Sequence, residues 1–111
     1  MVRTVTSPAA EDERDLSKVS VRWSMFEAVA RGYLDSAGPL LTATERRCLV
    51  TAGKLIAFEQ GLCFLTDYLA GDGYYKTQRP GQNLDRCRTQ FKLVTSIEEQ
   101  EEAMERLVES L

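Results

Sequence analysis

Along residues 42–75, TATERRCLVTAGKLIAFEQGLCFLTDYLAGDGYY, apolar side chains return at alternating intervals of three and four: Cys48, Leu55, Phe58, Leu62, Leu65 and Leu69, with Thr51 the exception. That spacing marks one face of a helix. Leu49, Ala52 and Ile56 form a second stripe beside it, and Lys54, Glu59, Gln60 and Asp67 interrupt the apolar surface. The pattern predicts a long central helix, covered on most sides, with the first stripe turned inward. Thr42 and Glu45 have the spacing of a capping box, and Gly71 is placed to end the helix in a left-handed conformation. At 1.5 Å per residue the helix is about 40 Å long. Gly53, Ala57 and Gly61 fall on one line, each Gly costing roughly 1 kcal/mol against Ala. A neighbouring helix nestling against that line is the expected compensation.

The flanking segments are shorter. Trp23, Phe26, Val29, Ala30, Tyr33 and Leu34 predict an amphipathic helix from Arg22 to Asp35, closed by Gly38-Pro39 and packed antiparallel to the central one. Residues 1–21 read as an N-terminal arm, with Pro8 at the head of a helical turn capped by Ser7, or else extended throughout. Its acidic run, Glu11, Asp12, Glu13 and Asp15, reads as solvated surface. After Gly71, GDGYYKTQRPGQN is long enough for an ordered surface loop. A third helix is expected from Asn83 to Val94, with Leu84, Cys87, Phe91 and Val94 inward. Ser96 with Glu99 forms a second capping box opening a last helix, on which Ile97, Met104, Leu107, Val108 and Leu111 are apolar. The expectation is thus all-α: a single helical domain over 1–111, a four-helix antiparallel bundle-like unit with a long central helix, an N-terminal arm and one long loop.

Composition narrows the chemistry. The chain has 111 residues and a net charge of −3, and it lacks the concentrated basic face that nucleic-acid binding requires. No run of about 18 uninterrupted apolar residues suggests a bilayer span, and no leader pattern opens the chain, so a cytoplasmic location is expected. Three cysteines, Cys48, Cys63 and Cys87, sit in apolar helical patterns without CxxC spacing and read as buried, reduced thiols. Histidine is absent. That removes Ser-His and Cys-His nucleophiles, imidazole bases and His-bearing zinc sites, so any catalysis would rest on carboxylates, Lys, Tyr or Cys; no catalytic residue and no metal site is assigned.

The constellation that stands out is Glu59, Cys63 and Asp67, four apart on the central helix and next to the loop bearing Tyr74 and Tyr75. Carboxylates at the edge of a buried helix require donors or a cation. Lys54, Arg86 and Arg88 are the candidates.

The phrases FEQGLCFLTDYLAGDGYY, GQNLDRCRTQFKLVTSIEEQE and MVRTVTSPAAEDERDLSKV together resemble the C-terminal region of bacterial kinases with the aminoglycoside phosphotransferase fold, in particular the N-acetylhexosamine 1-kinase branch. The resemblance covers nearly the whole chain. It implies the sugar-side helical subdomain of a sugar kinase, with residues 1–21 continuing from a catalytic lobe. The nucleotide-binding lobe, the catalytic Asp and the metal-binding Asp of the family lie upstream of the matched region. ATP and Mg are accordingly expected only for a full-length member, and this chain alone is expected to be inactive. By resemblance Tyr74 contacts the sugar, and Cys63 stands where the family carries an Arg, flanked by Glu59 and Asp67. An Arg there would sit between two acids, so Cys63→Arg is expected to be tolerated. A thiol cannot reproduce that guanidinium fork. A second reading is a freestanding interaction module. Either a second copy or the catalytic lobe would then cover exposed apolar helical surface, with Trp23 and Phe26 in the patch.

Overall fold

The computed structural model describes residues 2–111; Met1, which opens the MVRT stretch, lies outside the described residues. The described chain is all-α, with no strand. Its helices are α1 (Val2–Val5), α2 (Trp23–Ala37), α3 (Ala43–Arg47), α4 (Leu49–Leu69) and α5 (Gln82–Ser110), with 3-10 turns at Leu16–Lys18 and Gly38–Leu40.

The frame is the antiparallel hairpin of α4 and α5. Near the start of α4, Lys54 holds both carboxylate oxygens of Glu101 at 3.1 and 3.0 Å, while near its end Asp67 bonds Asn83 at 2.7 Å. At the middle of the hairpin the residues of α4 turned to α5 are small: Ala57 is fully buried, and a Cβ added to Gly61 would sit 2.5 Å from a ring carbon of Phe91. Ala57 and Gly61 thus let α5 approach closely, as expected, whereas Gly53, one turn earlier on the same line, borders a cavity between α2 and α4. The core continues through Phe26, Ala30 and Leu34 of α2, Val50 of α4, and Leu93, Ile97, Met104 and Val108 of α5.

The predicted ends of the central helix are present. Glu45 N–H donates to the Thr42 hydroxyl at 3.1 Å, Thr42 N–H donates to the Glu45 carboxylate at 2.8 Å, and Gly71 has φ +102°. The helix itself is interrupted at Cys48, where φ −86° and ψ −8° tighten one turn between α3 and α4.

Four expectations are corrected. The stripe taken as the inner face of α4 is outward: Leu55, Phe58, Leu62 and Leu69 are 60%, 44%, 42% and 74% exposed. The helices expected at 83–94 and after Ser96 are one continuous helix, because Ser96 does not cap. It is buried in α5, and its hydroxyl accepts the Val21 N–H at 2.9 Å. Of the three cysteines, all free, Cys87 alone is buried; Cys63 is half-buried and Cys48 exposed. The Ser7-Pro8 segment starts no helix, and the Ser7 hydroxyl instead accepts the Ala9 N–H at 3.3 Å in a bend. The acidic run that follows lies at the surface as expected, Glu11 and Asp15 exposed, and two of its members meet cations, Glu11 with Arg3 and Asp12 with Arg79, at 3.0 and 3.1 Å.

By length and composition α4 also meets the minimum for a membrane span, which the residue pattern had not suggested; its most apolar window has mean hydropathy 1.2 and is 22% buried. Lys54, Glu59 and Asp67 lie within the helix.

Candidate functional site

Asp67 is the centre of the predicted constellation, and its partners are neutral donors from the loop and from the start of α5, not a cation. Its carboxylate accepts Tyr74 N–H at 2.8 Å, Tyr75 N–H at 3.0 Å and the Asn83 side-chain amide at 2.7 Å. Its carbonyl accepts Asp72 N–H at 2.8 Å. These bonds fold the loop back over the end of α4. The turn is completed by Gly71 and by Asp72, whose φ of +61° an Asp tolerates better than most side chains. Burial pushes the Asp67 carboxyl up, but the N–H groups of Tyr75 and Tyr74, the Asn83 amide and the Gly73 N–H together hold it below the ordinary carboxylate range.

Asn83 ties both sides of the turn. Fully buried at the start of α5, it donates to Asp67 and, at 3.1 Å, to Asp72, and accepts from Arg86 at 3.0 Å. Arg86 also donates to the Lys76 carbonyl at 3.1 Å and lies 5.6 Å over the Phe64 ring. The Tyr75 ring also packs against Phe64, at 4.8 Å, its hydroxyl accepting from Gln60 at 3.2 Å. Tyr74 meets Tyr75 edge-on at 4.9 Å and is otherwise in solvent, 83% exposed.

The other predicted members diverge. Each step of four residues on a helix turns about 40° past a full rotation. From Asp67 back through Cys63 to Glu59 the line therefore climbs from buried to half-buried to exposed. Lys54 is bound to Glu101, Arg86 serves Asn83 and the loop, and Arg88 is exposed. The expectation that Asp67 awaits a cation is corrected: both of its oxygens are occupied, so an Arg at position 63 would find only Glu59. Phe26, expected in an exposed patch, is 3% exposed, whereas Trp23 is 37% exposed.

Asn83 and Arg86 were not singled out as partners of one network. The available signal was an amide on the inner side of a helix start, opposite a carboxylate on an apolar helix. A separate cavity of about 370 Å³ lies between α2 and α4, lined by Val29, Tyr33, Leu49, Gly53 and Ile56 among others. Among the described residues no group of three or more His, Cys, Asp or Glu is placed to hold a metal ion. Compared with models of known protein families, the chain matches none.

Proposed function

We propose that this chain is the sugar-side helical portion of a kinase-like phosphotransferase, catalytically incomplete by itself. The observation that carries this reading is the use of a buried carboxylate, Asp67, to hold Tyr74 and Tyr75 by their backbone at the end of α4 while the Tyr74 ring projects into solvent. An aromatic ring held this way offers an apolar face to the C–H side of a sugar and a hydroxyl to its polar rim. The same residues carry the resemblance to N-acetylhexosamine kinases. In that reading ATP and Mg belong to a lobe outside this chain, since phosphoryl transfer needs a phosphate cradle and metal ligands. Sugar contact falls to Tyr74, with Cys63 and then Glu59 one and two turns before Asp67 on the same helix, and the chain works in the cytoplasm.

The test is an amide-resolved NMR titration of the chain with N-acetylglucosamine and N-acetylgalactosamine, with glucose as control. Shifts confined to residues 72–76 and lost in Tyr74→Ala are expected; Cys63→Arg should enlarge them by restoring a donor fork. No shift at millimolar sugar in either background would sink the reading.

A second reading, a helical interaction module, is favoured by a different observation. The exposed residues Leu55, Phe58, Leu62 and Leu69, with the half-buried Leu65, keep a spacing of three and four over most of α4. A surface with that repeat suits another helix.

A further inference from the structure

Resting on the second reading, we propose that the outward stripe of α4 pairs two copies of this chain, antiparallel, into a four-helix assembly of two α4–α5 hairpins. Leu55, Leu62 and Leu69 are seven apart, with Phe58 and Leu65 between them, which is an a/d repeat. Seams of this kind bury their knobs against a facing helix; in α4 they are mostly uncovered, because α5 lies on the Ala57–Gly61 side and reaches the seam only at its edge, where Phe91 stacks on Phe58.

Charge selects the partner and its direction. The Phe91 ring of α5 stacks 5.7 Å from Phe58, so it borders the seam. Arg88, three residues before it, and Glu98 and Glu102, seven and eleven after it, share that side of α5 and are exposed. The first half of α5 sets Arg86, Arg88 and Lys92 against Asp85; the second half sets six glutamates against Arg106. A two-fold axis across the helices places both copies of α5 on one side of the seam, running oppositely. With Phe58 against the partner's Leu62, and Leu55 against the partner's Leu65, Arg88 then faces the partner's Glu98, twice by symmetry. In the parallel arrangement the two α5 helices fall on opposite sides and this match is lost. Parallel pairing would offer Lys54 to the partner's Glu59, but Lys54 is already bound by both oxygens of Glu101. The antiparallel pair brings its two Glu59 carboxylates together on the far, solvated flank. A membrane surface fits less well, because the stripe is narrow and its flanks carry Glu59, Glu98 and Glu102, whereas interfacial helices favour Lys and Arg there.

Sedimentation equilibrium across concentrations up to on the order of 100 µM tests this. The wild type should reach about 25 kDa, twice the 12.5 kDa chain. Leu62→Glu should raise the dimer Kd on the order of 30-fold or more, as loss of a central anchor does, with the far-UV CD spectrum unchanged. Arg88→Glu should weaken pairing about two- to five-fold, and adding Glu98→Arg should restore it. Glu59→Gln should tighten it. Weakening by Glu59→Gln together with indifference to Arg88→Glu would overturn the antiparallel geometry. A monomer that binds an apolar dye, with the binding lost in Leu62→Glu, would overturn self-pairing while leaving the docking face in place. A monomer that binds no dye would sink both. Co-sedimentation of monomers with phosphatidylcholine vesicles would replace the second copy with a lipid surface.

Discussion

Asp67 is buried and charged, and such a group persists in a protein only where donors compensate its lost hydration. Here three neutral donors from the loop and from Asn83 do so, and the consequence is conformational: the carboxylate acts as the staple of residues 72–75. Because the net effect of burial and those donors is to lower its pKa, the sign of the pH dependence follows. The contribution is present above the ordinary carboxylate pKa of 3.8 and is lost as pH falls through the lower folded value. The amides of Tyr74 and Tyr75 should therefore keep their hydrogen-exchange protection at neutral pH and lose it selectively in acid. Asp67→Asn should lose it at all pH values, since an amide substitutes one acceptor oxygen with a donor. Protection in the variant equal to that of wild type would show the loop to be held by Tyr75 and Phe64 alone. That Asp67 matters was legible in the sequence, from a carboxylate on an apolar helix beside a Gly-Tyr loop. Its partners were not, because backbone N–H groups are invisible to side-chain pattern and charge complementarity suggested Arg and Lys instead.

At the level of elements, local signals held where local physics decides. The Thr42 and Glu45 box and the left-handed Gly71 are built from residues within one turn, so nothing distant competes with them. Ser96 has the same local signature and a different fate. The helix from Gln82 runs straight through it for about 44 Å at 1.5 Å per residue, matching the 45 Å long axis of the molecule. Its hydroxyl is instead claimed by the extended segment 19–22, which also receives the Gln100 amide on the Val21 carbonyl at 3.0 Å. Tertiary demand overrides a capping motif whenever the helix can continue and another backbone needs the acceptor. Ser96→Ala leaves the Val21 N–H buried without that partner, which costs about 1–3 kcal/mol. The loss should appear in urea unfolding, with Val21 the amide whose exchange accelerates most. A helix break at 96 would instead predict faster exchange of the amides at 97–99.

The whole molecule is long and open for its size. Its Cα radius of gyration is 15.2 Å, against about 13 Å for a compact chain of this length, and its surface is 6686 Å² against about 6,200 Å² for a monomer of its mass. Leu55, Ile56, Phe58, Leu62, Tyr68 and Leu69 of α4 are among the large apolar side chains left exposed. Periodicity revealed that α4 has an apolar seam, yet a helix apolar on most sides carries two candidate inner faces, and periodicity does not say which one its own chain covers. Approach distance decides it: α5 packs where Ala57 and Gly61 let two backbones come close, and Leu55, Phe58, Leu62 and Leu69 are left outward. Substitutions should therefore rank against side-chain size. At concentrations dilute enough for a monomer, Leu62→Glu should change the stability by no more than about 0.5 kcal/mol, as a surface change does. Ala57→Leu, adding apolar bulk at a fully buried position, should lose about 1–3 kcal/mol through overpacking. Urea midpoints at unchanged m read both directly. If Leu62→Glu proves the more damaging in the monomer, the stripe of larger residues, and not the Ala57–Gly61 line, carries the packing of α4.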